Sequence, residues 1–376
     1  MILYTVITLM TVFTGLWVRR TTIADGTRQQ LMNKICLAAI FCVLFILCGL
    51  RYEVGNDYIT YMQNAHEIYV NGVTVTEPGY NFVVKALFAI QGWENYPIVF
   101  AFFGFITIFL FLKAMFEQSE SFAISFMLFM TLGIYFRSFN TVRYYMVLAI
   151  TLYSLKYVID KEYTKFVLMV LIAALFHKSV LVVIPMYFIC NRVWKKWFYG
   201  LVLAGTVVLY VLKDFVMEIA LKLYPSYRDT IYLSQDTGIM ASMPSIFRCM
   251  VVIGLCFICY KEGIKGNRAN TLYFNMSIMA VALYVGGSFI PMVSRFGYYL
   301  ITPQILLIPG VYHSLEGRKK KLVLYGILAF AGLYFIYFLF TASKAGISVL
   351  PYKSWLFNKV ELYNIEETLI YTSRHD

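Results

Sequence analysis

Apolar runs recur along this chain at 2–18, 35–50, 95–113, 121–137, 144–159, 197–212, 245–260, 272–290, 297–315 and 322–341. An α-helix needs about 20 apolar residues to cross a bilayer. The pattern therefore predicts an all-α polytopic bundle of about 10 spans. A β-barrel would show short alternating segments instead. Two regions are less regular. Residues 79–91 form a short apolar piece behind Glu77-Pro78-Gly79. Residues 166–190 form two apolar halves interrupted by His177-Lys178-Ser179. No repeat and no Gly/Ser/Pro-rich linker divides the chain, so residues 1–376 read as a single transmembrane domain.

Composition agrees with that pattern. The chain is 60% hydrophobic with a mean hydropathy of +0.70, above the roughly half-apolar content of soluble domains. The first apolar run has no basic residue before it and Arg19-Arg20 after it. It is expected to be a retained span rather than a cleaved signal. The net charge of +12 reads as the basic bias of cytoplasmic loops, not as nucleic-acid binding. The seven cysteines lie in or beside apolar runs. Even Cys256-x-x-Cys259 reads as small buried hydrophobes rather than a redox pair.

The basic clusters give an orientation. Arg19/Arg20/Arg28/Lys34, Lys156/Lys161/Lys165, Arg192/Lys195/Lys196, Lys261/Lys265/Arg268 and Arg318/Lys319/Lys320/Lys321 should all face the cytoplasm. Parity then requires that 79–91 not cross. It also requires that 166–190 enter and return, with His177 at its tip. Both are re-entrant candidates. Loops 51–78 and 213–243, the 137–143 turn, His177 and Arg295 then converge on the extracytoplasmic side, as does the tail after Phe340.

Ionisable residues at membrane depth are costly and point to function. Arg51, Arg143, Arg295 and Arg248 lie at or just inside outer span ends. The ordinary alternative is an anchor that snorkels to the headgroups. Several guanidinium forks on one face instead suit a pyrophosphate. His177 breaks an apolar run and can act as a base near neutral pH. The plain reading is a satisfied core histidine. Asp57 and Glu77 are the outer carboxylates, either catalytic or ordinary loop residues. Tyr52, Tyr58, Tyr61 and Tyr80 stand near the mouth and could stack on sugars or simply pack. With four histidines and no ligand spacing among them, no metal is implied. No P-loop, G-x-S-x-G or H-E-x-x-H occurs.

The ordered set Arg51-Tyr52-x-x-Gly55-x-Asp57-Tyr58-x-x-Tyr61, Glu77-Pro78-Gly79-Tyr80, Phe139-Asn140-x-x-Arg143, Phe176-His177-x-Ser179 and Arg295-x-x-x-Tyr299 resembles the EpsG-like branch of Wzy-type polysaccharide polymerases. Tyr144-Tyr145-Met146 after Arg143 departs from the polar and small residues often found there. The resemblance implies a GT-C-like bundle in the cytoplasmic membrane with an extracytoplasmic active site. It implies a glycosyltransferase without cofactor or metal that polymerises undecaprenyl-pyrophosphate-linked oligosaccharides. A chain-length regulator protein is a further partner it suggests. Catalytic candidates are then His177, Asp57 and Glu77. Arg51, Arg143, Arg295, Arg248, Tyr58 and Tyr299 are candidates for holding substrate. A flippase or other transporter of lipid-linked oligosaccharides is the second reading. A membrane acyltransferase is a third, opposed by the outer position expected for His177.

Overall fold

The computed structural model describes residues 1–20, 26–223, 239–290, 293–344 and 347–356. Helices carry these residues. Among them no strand forms, and Arg51 and Ser354 meet in an isolated antiparallel bridge. Four helices are long and apolar enough to cross a membrane: Gly26–Gly49, Tyr96–Gln118, Val142–Ile159 and Gly317–Thr341. Lys196–Val211 and Lys213–Ile219 form a fifth candidate bent by 77°. Ten unbroken spans are therefore not what the described residues show. The 121–137 run divides into Phe122–Thr131 and Ile134–Arg137. The 297–315 run divides into Val293–Ile301 and Gln304–His313. Pro303 lies at that second break, where its ring disfavours helical geometry in the residue before it. Hydropathy alone registers none of these interruptions.

Local chemistry sets the ends of the elements that carry the site. Tyr58–Asn71 and Pro78–Gln91 stop at Gly72 and Gly92, both left-handed, a common helix terminator. Pro78 stands at the start of its helix, where its missing N–H costs nothing. The Asn95 side chain accepts from the Ile98 amide and caps Tyr96–Gln118. That helix packs between Gly26–Gly49 and Val142–Ile159 in the centre of the bundle.

Residues 163–190 turn back on themselves. Tyr163 meets Phe188 with ring centroids 5.1 Å apart, and Phe166 stacks on Tyr187 at 5.7 Å. The start of Tyr163–Ala174 thus lies beside the end of Val183–Cys190. His177 occupies the break between them. Pro78–Gln91 is a 14-residue helix, too short to span at 1.5 Å per residue. The expected 213–243 loop instead begins as the helix Lys213–Leu223 and ends in the start of Ile239–Ile258; residues 224–238 and the tail beyond residue 356 lie outside the described residues.

The basic clusters share one end of the bundle. Arg20 pairs with Glu120, Lys156 with Glu117, and Lys319 with Glu262. Arg268 donates to the Val158 carbonyl and the Asn191 side chain. Val142–Ile159 leads from that end toward Arg143. Its 18 residues cover about 27 Å. The candidate chemistry gathers at the far end.

Candidate functional site

A small cavity of ≈ 80 Å³ is lined by Asp57, Thr60, Tyr61, Asn64, Thr141, Arg143, Tyr144, His177 and Arg295. Four chain segments that are remote in sequence meet there. Two tight approaches bring them together. Gly55 has φ 104°, and a Cβ on it would lie 2.5 Å from the Phe139 carbonyl oxygen. The 51–58 turn can therefore press onto 139–140, where the Asn140 side chain accepts from the Asp57 amide at 3.0 Å. At Gly79 a Cβ would lie 2.7 Å from the Leu175 carbonyl oxygen, which accepts from the Gly79 amide at 2.8 Å. The Glu77-Pro78-Gly79 turn is thereby locked against the break that carries His177. Any side chain at either position would push these backbones apart.

Arg143 forms an ion pair with Glu77. Its guanidinium lies over the rings of Tyr80 and Tyr61, at 4.9 and 5.5 Å from their centroids. Its Nε is buried and has no partner. Glu77 Oε1 also accepts weakly from the Lys178 amide at 3.4 Å. Glu77 is not among the cavity-lining residues; it orients Arg143. Arg295 lines the cavity and makes no side-chain hydrogen bond or ion pair with a described residue. Its backbone carbonyl is held by the Tyr144 hydroxyl at 2.6 Å. Arg295 is thus fixed by its backbone, and its charge acts on Asp57 and His177 across the cavity.

His177 is held by its Nδ1, 2.8 Å from Ser179 Oγ. Ser179 Oγ in turn lies 3.0 Å from the Tyr299 hydroxyl. Tyr144 meets the imidazole edge to face at 5.4 Å. His177 sits in a break outside the spanning helices. Burial pushes its pKa down to about 4, with help from Arg295 and Arg143 and against the pull of Glu77. At neutral pH the imidazole is therefore uncharged and can accept a proton. Burial raises the Asp57 carboxyl above its ordinary range, opposed by Arg295, the Asn56 side chain and Arg143.

The structure brings His177, Asp57, Arg143 and Arg295 to one cavity. It places the five other candidates elsewhere. Arg51 is fully buried. It bonds the Cys48 carbonyl and lies against the rings of Phe100 and Phe139 at 4.7 and 5.2 Å. Residues 353–355 fold over it: Tyr52 donates to the Lys353 carbonyl, and Trp355 donates to that of Leu50. Arg51 therefore does not share the cavity with Arg143 and Arg295, contrary to the expectation from its place at a span end. Tyr58 stacks on Phe100 at 4.4 Å, and its hydroxyl accepts from Trp355 Nε1 at 3.2 Å. It belongs to the same packing. Arg248 is buried against Gln304 Oε1 and the Ile301 carbonyl, at 2.8 and 3.0 Å. Glu77, as above, stands behind Arg143. Tyr299 is buried one hydrogen bond behind Ser179 and steadies His177 indirectly.

Sequence reasoning does not single out Thr60, Asn64 or Thr141, and it names Tyr144 and Ser179 only within motifs, without a role in the site. Only Ser179 carried a signal, being two residues from His177. Among the described residues no three His, Cys, Asp or Glu side chains gather as a metal cluster. The cavity thus combines a neutral imidazole, a carboxylate and two guanidinium groups, with hydroxyl and amide groups on the remaining wall.

No curated protein and no solved structure matches this chain. A family model does match, that of the EpsG family, over residues 34–354. That match spans the core helices and every residue of the cavity, and the chain is accordingly a member of the EpsG family.

Proposed function

We propose that the protein is a membrane glycosyltransferase. It polymerises undecaprenyl-pyrophosphate-linked oligosaccharide repeat units on the outer face of the cytoplasmic membrane, without a metal. The observation that carries this reading is the joining of Arg143, Arg295, His177 and Asp57 in one cavity. Family membership supports the polymerase assignment.

In the proposed step a hydroxyl of the acceptor sugar attacks the anomeric carbon of the donor. A carbon–oxygen bond forms there as the bond from that carbon to the pyrophosphate oxygen breaks. The leaving lipid pyrophosphate keeps the electron pair, and Arg295 and Arg143 stabilise the charge that develops on it. The hydroxyl proton passes to Nε2 of His177, because Nδ1 is engaged by Ser179. Asp57 orients the acceptor hydroxyl. When the pyrophosphate binds, it offsets the two cations that depress the His177 pKa, so basicity rises as the reactants assemble.

A transporter needs charges along a through path. Between Arg143 and Lys156 the Val142–Ile159 helix carries no charged side chain. On that helix charge stands only near the two ends, with no cationic path between them, which favours a one-sided enzyme. The test is reconstitution of the purified protein with lipid-linked repeat units. A ladder of chain lengths is expected. Movement of the lipid across the bilayer without elongation would replace this reading with the transporter.

A further inference from the structure

A second arrangement lies next to the cavity, behind a partition. The partition is built from Val293–Ile301 and the start of Val142–Ile159. Neighbouring residues on it face opposite ways. Tyr144 and Tyr299 turn toward His177 and Ser179. Tyr145 and Tyr298 turn toward Arg137, whose Nη1 donates to the Tyr298 hydroxyl at 2.6 Å. The Arg137 guanidinium stands 5.9 Å from the centre of the Phe338 ring, and its Nε is buried without a partner. Tyr145 and Tyr334 are within electrostatic range of it. Arg248 is within range of the same two tyrosines. No carboxylate among the described residues pairs with Arg137 or Arg248.

Tyr334 also faces outward, into an apolar groove of ≈ 570 Å³. Met243, Pro244 and Phe247 line it from one helix, and Phe330 and Tyr337 from the other. Phe247 is 64% exposed and Tyr334 only 9%, so Tyr334 is the floor. The groove is apolar along its length, and its buried floor residue Tyr334 lies within electrostatic range of Arg137 and Arg248. Such a site is complementary to a long apolar chain with an anionic end.

We infer that this groove holds the isoprenoid chain of a polyprenyl phosphate lipid, with the phosphate end toward Arg137. The choice of a polyprenyl lipid over a membrane phospholipid rests on the function proposed above. The groove would then seat the second of the two lipid-linked reactants, while Arg143 and Arg295 hold the first. The departure at Tyr144-Tyr145 gains a reason, since adjacent tyrosines serve two lipids on opposite sides of one partition.

The experiment uses the full chain in nanodiscs of phosphatidylethanolamine and phosphatidylglycerol, so that bulk lipid always competes. The probe is a polyprenyl phosphate with a diazirine in its isoprenoid chain and no sugar. Expected is crosslinking concentrated at 243–247 and 330–337, chased by unlabelled polyprenyl phosphate and not by added phosphatidic acid. Leu333→Trp fills the groove from its 69% exposed, lipid-facing position and should lower labelling about tenfold. Phe247→Ala is the companion variant and should shift the crosslinks within the groove. Arg137→Gln should weaken capture of the phosphate about tenfold while leaving capture of the uncharged polyprenol unchanged. Labelling spread evenly over the lipid-facing surface, or chased equally by phosphatidic acid, overturns the inference. So does labelling that Leu333→Trp leaves intact in an inserted protein. The assay needs no turnover. Specific labelling without any polymerisation would sink the proposed function and leave the groove standing. Polymerisation with an unlabelled groove would do the reverse.

Discussion

The two ends of the bundle treat positive charge in opposite ways. At the basic end cations are exposed and meet carboxylates at the surface. Lys165 with Glu162 is typical, with side chains 61% and 42% exposed. At the cavity end arginines are buried or half-buried, and among the described residues only Arg143 forms an ion pair with a carboxylate, both side chains being 17% exposed. Exposed pairs contribute about 0–1 kcal/mol and are screened by salt. A buried guanidinium without a carboxylate costs stability unless hydrogen bonds or a ligand compensate. Charge at the basic end is therefore held at little cost. Charge at the cavity end is held at a cost that an anionic substrate would offset.

The comparison breaks first at the arginines of the cavity. Arg295→Ala or Arg143→Ala should lower polymerisation in vitro by about 10²–10³-fold, the scale of a lost transition-state donor. Arg295→Lys should recover little, because a point charge does not reproduce the fork. Normal chain extension by both alanine variants, in inserted protein, would place the chemistry elsewhere.

Gly79→Ala should act next, through structure. The new Cβ would sit 2.7 Å from a carbonyl oxygen, which costs on the order of 1–3 kcal/mol. It should also move His177 away from Arg143. A melting temperature and a turnover rate that both match the wild type would show that the two turns are not locked together.

pH sharpens the same contrast. The free protein needs His177 neutral, and its pKa lies at about 4. The apparent kcat/KM should thus hold steady at and above neutral pH and be lost as pH falls through about 4. The fall in kcat should come at higher pH, because bound pyrophosphate offsets the depressing cations. His177→Gln should abolish turnover at every pH while lipid binding survives. Full chain extension by that variant would pass the base role to Asp57.

The smallest effect belongs to the basic end. Lys165→Ala should leave both the melting temperature and polymerisation essentially unchanged, because the pair it breaks is solvent-exposed. A large loss of activity would mean that the two ends are not separate.

Much of this end-to-end contrast is legible in the chain. Hydropathy finds the helices, and the parity of basic loops places His177, Arg143, Asp57 and Arg295 at one end. That inference needs only local composition and a count of crossings. Contacts remote in sequence are different. Nothing near Arg51 announces that residues 353–355 will fold over it. Its place at a span end made it look like a cavity ligand. Glu77 reads as an outer carboxylate until its partner 66 residues away is known. Thr60, Asn64 and Thr141 are ordinary loop or helix residues in sequence, and become cavity walls only when Gly55 lets the 51–58 turn approach Phe139. Breaks such as Thr302-Pro303 are also invisible to a hydropathy average, so ten spans were counted where helices are interrupted.

The central claim is that the cavity opens to the outer face and that polymerisation occurs in it. Thr60 lines the cavity and is exposed. A Thr60→Cys variant, with the exposed Cys42 replaced by Ser, can be treated with a membrane-impermeant maleimide from either side. The account predicts labelling from outside only, protection by bound lipid-linked substrate, and loss of chain extension once labelled. Lys319→Cys should be labelled only from the cytoplasmic side, without loss of activity. Labelling of position 60 from the cytoplasmic side, or undiminished polymerisation after its labelling, would contradict the account.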